Sequence, residues 1–272
     1  MRRFILELSA REPLVLTDGS SESMAHRTLG YIPGRMLLGA LAGAWLNQNR
    51  NLTGRPDDQP DFRALFLDGS VSWGHAYPWL NGRQALPAPQ CWRKIKNTPD
   101  LPRAGNEDVA AEEVKLVNRL TWEGSREELQ KNLNLPGPLK LKKLAADFLD
   151  PVTFRRPEHL EQWTMHVALD RSGRQAAEGL LFGFSALAPG ARLAAEILAR
   201  DEAAAKALEK LRVEIKSLRV GHARSAGYGL VQVERFEEAS PGPLTEGEFK
   251  AGRQILFLLS DYLPRQSWLS LA

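Results

Sequence analysis

The chain of 272 residues contains a single cysteine, Cys91, and that scarcity alone removes two classes of protein. An internal disulfide framework needs at least two thiols, and a thiolate metal cluster needs more. The five histidines, His26, His75, His159, His166 and His222, are scattered, and none forms an H-x-x-x-H or H-E-x-x-H pattern. A zinc site would have to be assembled from distant segments, so no metal and no cofactor is expected. No apolar run approaches the roughly 20 residues that span a bilayer, and the opening stretch is broken by Glu7. The expectation is a cytoplasmic protein that does not enter a membrane. A G-x-S-x-G setting and a G-x-x-x-x-G-K-[ST] run are also missing, which excludes the corresponding serine-hydrolase and nucleoside-triphosphatase chemistries. Charge of one sign is in small excess only: 36 Lys and Arg against 33 Asp and Glu give a net charge of +3. Such a surface permits nucleic-acid binding without demanding it.

Periodic patterns fill both ends of the chain. Phe4, Leu6 and Leu8 alternate within residues 3–9, which predicts a half-buried strand, continued after a bend by residues 13–16. Pro33 and Gly34 then precede Met36, Leu37, Ala40, Leu41 and Ala44 at helical spacing, so a buried helix is expected from about Pro33 or Gly34 to Leu46. Residues 47–61 read as a flexible connection and 71–77 as a strand. From about 78 to 160, prolines at positions such as 87, 89, 99, 102, 136 and 138 interrupt every pattern, marking an insertion of loops and small elements. Strands return over 163–169, 178–187 and 192–198, with turns expected at Gly173 and at Pro189-Gly190.

Ala204, Ala207, Leu208 and Leu211 share one face of an amphipathic helix over 201–212 that Asp201 can cap. Residues 213–220 extend this helix or turn into strand, 228–233 form a strand, 237–242 read as a polar turn, and 255–259 are a last apolar element. This order predicts an α+β fold with an antiparallel sheet carrying helices on one face, as in ferredoxin-like and RNA-recognition folds. The expected organisation is one domain over 1–236 with its insertion at 78–160. Residues 237–272 follow as an extension, a reduced or incomplete second domain.

The chemistry concentrates in one segment. Gly221, Gly227 and Gly229 enclose His222, Arg224, Ser225 and Tyr228 between two apolar stretches. Glycine tolerates positive φ and lets backbone N–H groups approach a ligand oxygen, while arginine offers a forked cation suited to a phosphodiester. The plainer reading is a glycine-rich β-connection with incidental charge. Trp92, followed by Arg93, Lys94 and Lys96 in a proline-flanked stretch, has the interleaved aromatic and cationic character that suits unpaired RNA bases. Metal-independent RNA cleavage needs a general base and acid, for which His26, His222, Tyr31 and Tyr228 are candidates. A lone histidine in a basic loop is more often a contact than a catalyst. Asp170, Glu178 and Glu196 match no acidic metal motif.

Two motifs together carry a family resemblance. Ile32-Pro33-Gly34-Arg35 leading into Leu38-Gly39-Ala40-Leu41, and Leu218-Arg219-Val220-Gly221 leading through Arg224-Ser225-Ala226-Gly227-Tyr228-Gly229, resemble the signatures of the CRISPR-associated RAMP superfamily. Residues 62–66 with 71–78, 86–89 with Trp92, 178–182 and 258–261 resemble in particular the group-five subunit of type III-D effector complexes. The resemblance implies a ferredoxin-like core whose glycine-rich loop lies close to the first helix, in a subunit that grips the repeat-derived 5′ handle of a CRISPR RNA. Its implied partners are that RNA, a large signalling-type subunit and the backbone RAMP subunits, with target RNA met indirectly. Such a subunit caps the backbone and does not cut RNA. On this pattern Gly221, Gly227 and Gly229 shape the loop, His222, Arg224 and Ser225 contact phosphate or ribose, and Tyr228 buttresses the turn or stacks. Gly34, Arg35 and the N–H groups after Pro33 would add a second anionic contact. Related RAMP proteins include endonucleases that mature CRISPR RNA, so the alternative is a metal-independent ribonuclease in which His26 faces the glycine loop.

Overall fold

A computed structural model describes residues 1–17, 25–26, 28–51, 53–96, 98–104, 116–119, 125–132, 138–150, 152–158, 161–169 and 176–240. These fall into two compact units, one holding the described residues of Met1–Gln84 and Pro157–Thr245, the other those of Ala85–Arg156. The first unit opens with β1 (Arg2–Ala10), β2 (Ala25–His26), α1 (Gly34–Gln48), α2 (Pro60–Phe66), β3 (Val71–Leu80) and β4 (Arg83–Gln84). The second contains β5 (Leu86–Pro87), β6 (Trp92–Ile95), β7 (Leu116–Asn118), α3 (Arg126–Asn132), β8 (Leu141–Lys143) and β9 (Phe148–Leu149). The chain then returns to the first unit as β10 (Glu161–Leu169), β11 (Ala176–Leu187), β12 (Arg192–Ala199), α4 (Glu202–Glu214), β13 (Ser217–Arg219) and β14 (Leu230–Ala239).

The main sheet has the order β13-β14-β1-β12-β3-β4, and every neighbouring pair in it is antiparallel. Within it β1, α1, β3, β12, α4 and β14 follow one another as β-α-β-β-α-β, with β1 and β12 side by side at the centre, a split β-α-β arrangement. The class is α+β with antiparallel sheets, as the sequence predicts. One short exception is β2, which runs parallel to β11 through the pairs Gly183↔Ala25 and Phe184↔His26.

Alternation explains which face of this sheet is covered. Phe4, Leu6 and Leu8 are fully buried in one cluster with Leu193 and Ile197 of β12. Leu37, Leu41 and Trp45, four residues apart along α1, and Leu208 and Leu211 of α4 join the same cluster. Each such side chain contributes about 1.5–3 kcal/mol by leaving water, so this layer dominates the unit's stability. Asp201 accepts the Ala204 N–H at 2.8 Å and caps α4, which adds about 1 kcal/mol. The second unit is smaller: β7-β6-β8 form an antiparallel sheet over a core of Ile95, Val117 and Leu139, and β5 pairs with β9.

Some segments depart from the sequence reading. Residues 237–239 continue β14 instead of turning, because Ile5, Phe4 and Arg3 of β1 supply pairing partners for Glu237, Glu238 and Ala239. Their charges are accommodated at the exposed surface, where Arg2 binds Glu238 and Arg235 binds Glu237. Within the stretch read as a flexible connection, Pro56–Asp58 make a short 3-10 turn and Pro60 starts α2. The Gly173 turn and the apolar element at 255–259 lie outside the described residues. Among the described residues no helix is long and apolar enough to cross a membrane.

Candidate nucleic-acid interface

The glycine turn joins β13 to β14, and its backbone conformation accounts for each glycine separately. Gly221, Gly227 and Gly229 all have positive φ, at 77°, 83° and 93°. A β-carbon on Gly221 would lie 2.3 Å from the Val15 carbonyl oxygen, and one on Gly229 would lie 2.4 Å from that of Val220. Gly227 faces open space, so only its φ requires glycine. Ala223 adopts φ 56° without that freedom and leads into a short 3-10 turn, Arg224–Ala226.

The turn is tied to the segment that follows β1. His222 N–H donates to Val15 O at 2.9 Å, Gly229 N–H donates to Pro13 O at 3.0 Å, and Val220 N–H closes the base of the turn on Gly229 O at 2.8 Å. Tyr228 is buried with Val15 and Ala186, against Ala223. Arg219, partly exposed, is also bonded to the turn. Its Nη1 donates to Glu12 Oε2 at 2.9 Å and to the carbonyls of Arg224 and Tyr228, both at 3.1 Å, while its Nη2 donates to Glu12 Oε1 at 3.2 Å. With the backbone held in this way, His222, Arg224 and Ser225 are exposed. The Arg224 side chain makes no hydrogen bond or ion pair with a described residue.

The opening of α1 is fixed by a different neighbour. A β-carbon on Gly34 would lie 2.2 Å from the Trp73 carbonyl oxygen, so glycine allows the helix to start in contact with β3. The Gly34 N–H donates to His75 Nδ1 at 2.9 Å, and the N–H groups of Met36 and Leu37 donate to Pro33 O. This corrects the expectation that the N–H groups after Pro33 face an anion: at positions 34, 36 and 37 they are satisfied within the protein, because His75 and the Pro33 carbonyl reach them first. Arg35 is exposed beside them. Tyr31, His75 and Tyr77 form an aromatic cluster here, with ring centroids 5.3 to 5.7 Å apart. Burial pushes the Tyr77 phenol up to about 12, and Tyr31 adds to the effect.

No described hydrogen bond joins the glycine turn to the α1 opening directly. The backbone between them runs through Leu16, which accepts from Leu29 N–H, and then Ile32, which pairs with Ala76 of β3. His26 pairs through its backbone with Phe184, and its side chain lies outside the described residues. Trp92, Arg93 and Lys94 lie on β6 of the second unit, a strand where the sequence suggests a loop, because Asn118, Val117 and Leu116 provide its ladder partners. Trp92 stacks on Phe154 with centroids 5.2 Å apart, which covers one ring face. Arg93 donates to the Gln90 carbonyl, and Lys94 binds Asp100, holding that carboxyl below its ordinary range. Lys96 is exposed. Glu12, Arg219, Pro13 and Val15 are the organising residues that sequence reasoning missed; the Arg219-Val220-Gly221 motif was visible, but not its partner.

The comparison with solved structures follows from this fold. A chain in the cryo-EM structure of the Type III-B Cmr-beta bound to cognate target RNA superimposes with a TM-score of 0.51 at 12% identity, covering 87% of this chain and 97% of that one. The fold is similar to that of a chain in this type III-B assembly. A chain in the apo state of the Type III-B Cmr-beta gives a TM-score of 0.49 at 10% identity over 87% and 97% of the two chains. Oligomeric Cmr4 from Pyrococcus furiosus gives 0.40 at 13% identity, over 89% of this chain and 100% of that one. At these identities the likeness is one of fold. No protein-family model matches the chain, and no curated protein matches it in sequence.

Proposed function

We propose that the chain is a non-catalytic RNA-binding subunit of a type III CRISPR effector complex. In the finer form of this reading it is the group-five subunit of a III-D complex, holding the repeat-derived 5′ handle of the CRISPR RNA and capping the backbone. Its partners would be that RNA, a large signalling-type subunit and the backbone RAMP subunits, with target RNA met through the assembly. The observation that carries the reading is Arg224: an exposed guanidinium that bonds no described residue, standing on a turn whose backbone is bonded to Pro13 and Val15 in the segment after β1. A fixed backbone under an uncommitted fork limits the ordering cost of binding to one side chain, and a charge-assisted bond to phosphate returns about 1.5–3 kcal/mol. His222 and Ser225 are exposed on the same turn and supply further polar contacts. The similar fold belongs to a chain seen with cognate target RNA, which supports the choice of ligand class.

The test begins with RNA that co-purifies with the chain, whose 5′ ends are sequenced. A common repeat-derived 5′ sequence is expected. With labelled repeat RNA, Arg224→Ala should weaken binding about tenfold and reduce the log-log salt slope by about 0.7, the contribution of one phosphate in a single strand. Unchanged affinity in Arg224→Ala removes the turn from the interface. Cleavage of repeat RNA by the purified chain in chelator, lost in His26→Ala, makes it a processing endonuclease instead.

A further inference from the structure

One arginine beside the glycine turn is bonded to the turn itself. Arg219, the last residue of β13, sends its guanidinium back under the turn, where a single Nη1 serves three acceptors: Glu12 Oε2, Arg224 O and Tyr228 O. One carbonyl belongs to the first residue of the 3-10 turn Arg224–Ala226 and the other to Tyr228 beyond its end, so one planar group spans the turn. Glu12 is itself fixed. Its Oε2 also accepts the N–H of Leu230, the first residue of β14, and its own N–H donates to Leu230 O at 3.2 Å. One ion pair therefore ties together the end of β13, the middle of the turn, the start of β14 and the bend after β1.

We infer that Glu12 and Arg219 are a positioning pair, which sets the shape of the turn and the direction of Arg224 while neither residue touches RNA. This inference rests on the RNA-binding reading of the turn. Three observations separate the pair from the surface cations around it. The Arg219 charge is already met by a carboxylate through both terminal nitrogens, at 2.9 and 3.2 Å, so it is not available to a phosphate at little cost. The acceptors include two carbonyls of the turn, those of Arg224 and Tyr228. The arrangement also needs a planar fork. A lysine in place of Arg219 is a point charge that cannot reach both Glu12 oxygens and both carbonyls together. Glu12 and Arg219 are partly exposed, at 24% and 46% of their side-chain surface. Exposed pairs add little to global stability, so the effect of breaking this one falls on local shape.

The experiment measures two quantities on the full chain, affinity for labelled repeat RNA across a salt series and amide hydrogen exchange of the turn. Arg219→Gln should lower RNA affinity about fivefold with the salt slope unchanged, in contrast to Arg224→Ala, which lowers both. Glu12→Gln should lower affinity in the same direction, and the double variant should lose no more than either single one, because the two residues act as a unit. Arg219→Lys should not rescue binding. In both single variants the N–H groups of His222, Gly229 and Leu230 should exchange faster, while the melting temperature changes little. A tighter complex and a steeper salt slope in Glu12→Gln would overturn the inference, since Arg219 would then be a phosphate contact that Glu12 restrains. Unchanged exchange in both variants would overturn it as well. The exchange readout does not depend on RNA, so a chain that binds no RNA but shows accelerated exchange defeats the RNA-binding reading and keeps the positioning role.

Discussion

The glycine turn and the opening of α1 both bring a glycine against a carbonyl oxygen, yet they fix the chain by different means. Gly221 needs two properties of glycine at once: a φ of 77° and room for the Val15 carbonyl where a β-carbon would stand at 2.3 Å. Gly34 needs one, since only the approach of the Trp73 carbonyl excludes a side chain. Their polar groups are also disposed differently. At the helix opening His75 takes the Gly34 N–H, and the site closes on itself. In the turn the bonds to the rest of the chain are made by backbone groups and Arg219, while Arg224, His222 and Ser225 are exposed. At the helix start glycine serves packing, and an exposed arginine stands at both places, Arg35 and Arg224.

Substitution can break this contrast. The largest effect is expected for Gly221→Ala, where a left-handed backbone and a backbone clash combine to cost about 3 kcal/mol; Gly34→Ala, with the clash alone, should cost about 2 kcal/mol. Urea unfolding of the two variants measures the difference, and equal losses would mean that φ contributes nothing at Gly221. The aromatic cluster beside Gly34 offers a pH test. The folded Tyr77 phenol is pushed up to about 12 from an ordinary value of 10.0, so its neutral form is favoured in the folded chain. Stability from this group is complete below about pH 10 and is lost as pH rises toward 12, because the unfolded phenol releases its proton first. A loss of about 2 kcal/mol is expected across that interval, absent in Tyr77→Phe, with no matching change in the turn. The smallest effect is expected for Gly227→Ala, about 1 kcal/mol, since a methyl there meets only the φ penalty.

Local signals made much of the fold legible. Alternation of Phe4, Leu6 and Leu8 defines β1, Pro33 and Gly34 mark the start of α1, and Asp201 caps α4 where its position suggests. Signals failed where a distant segment decides. The end of β14 is written in charged residues that look like a turn, and only pairing with β1 makes them strand. Trp92 to Ile95 likewise reads as a basic loop until β7 and β8 flank it. The glycine turn announced itself through three glycines around an arginine. Its organiser did not, because Glu12 lies 207 residues from Arg219 in the chain, and the acceptor for the Gly34 N–H lies 41 residues away. Sequence identifies which residues are presented, whereas the groups that aim them come from contacts that no local pattern encodes.

The bonds from residues 12, 13 and 15 to the β13–β14 connection have a consequence in time. These are among the longest loop closures in the unit, so they form only after the intervening chain has been synthesised and packed. A nascent polypeptide exposes β1 early but has no assembled turn until β14 emerges and docks beside it. Completion of the turn is thereby deferred until β12 and α4, which precede it in the chain, have been made.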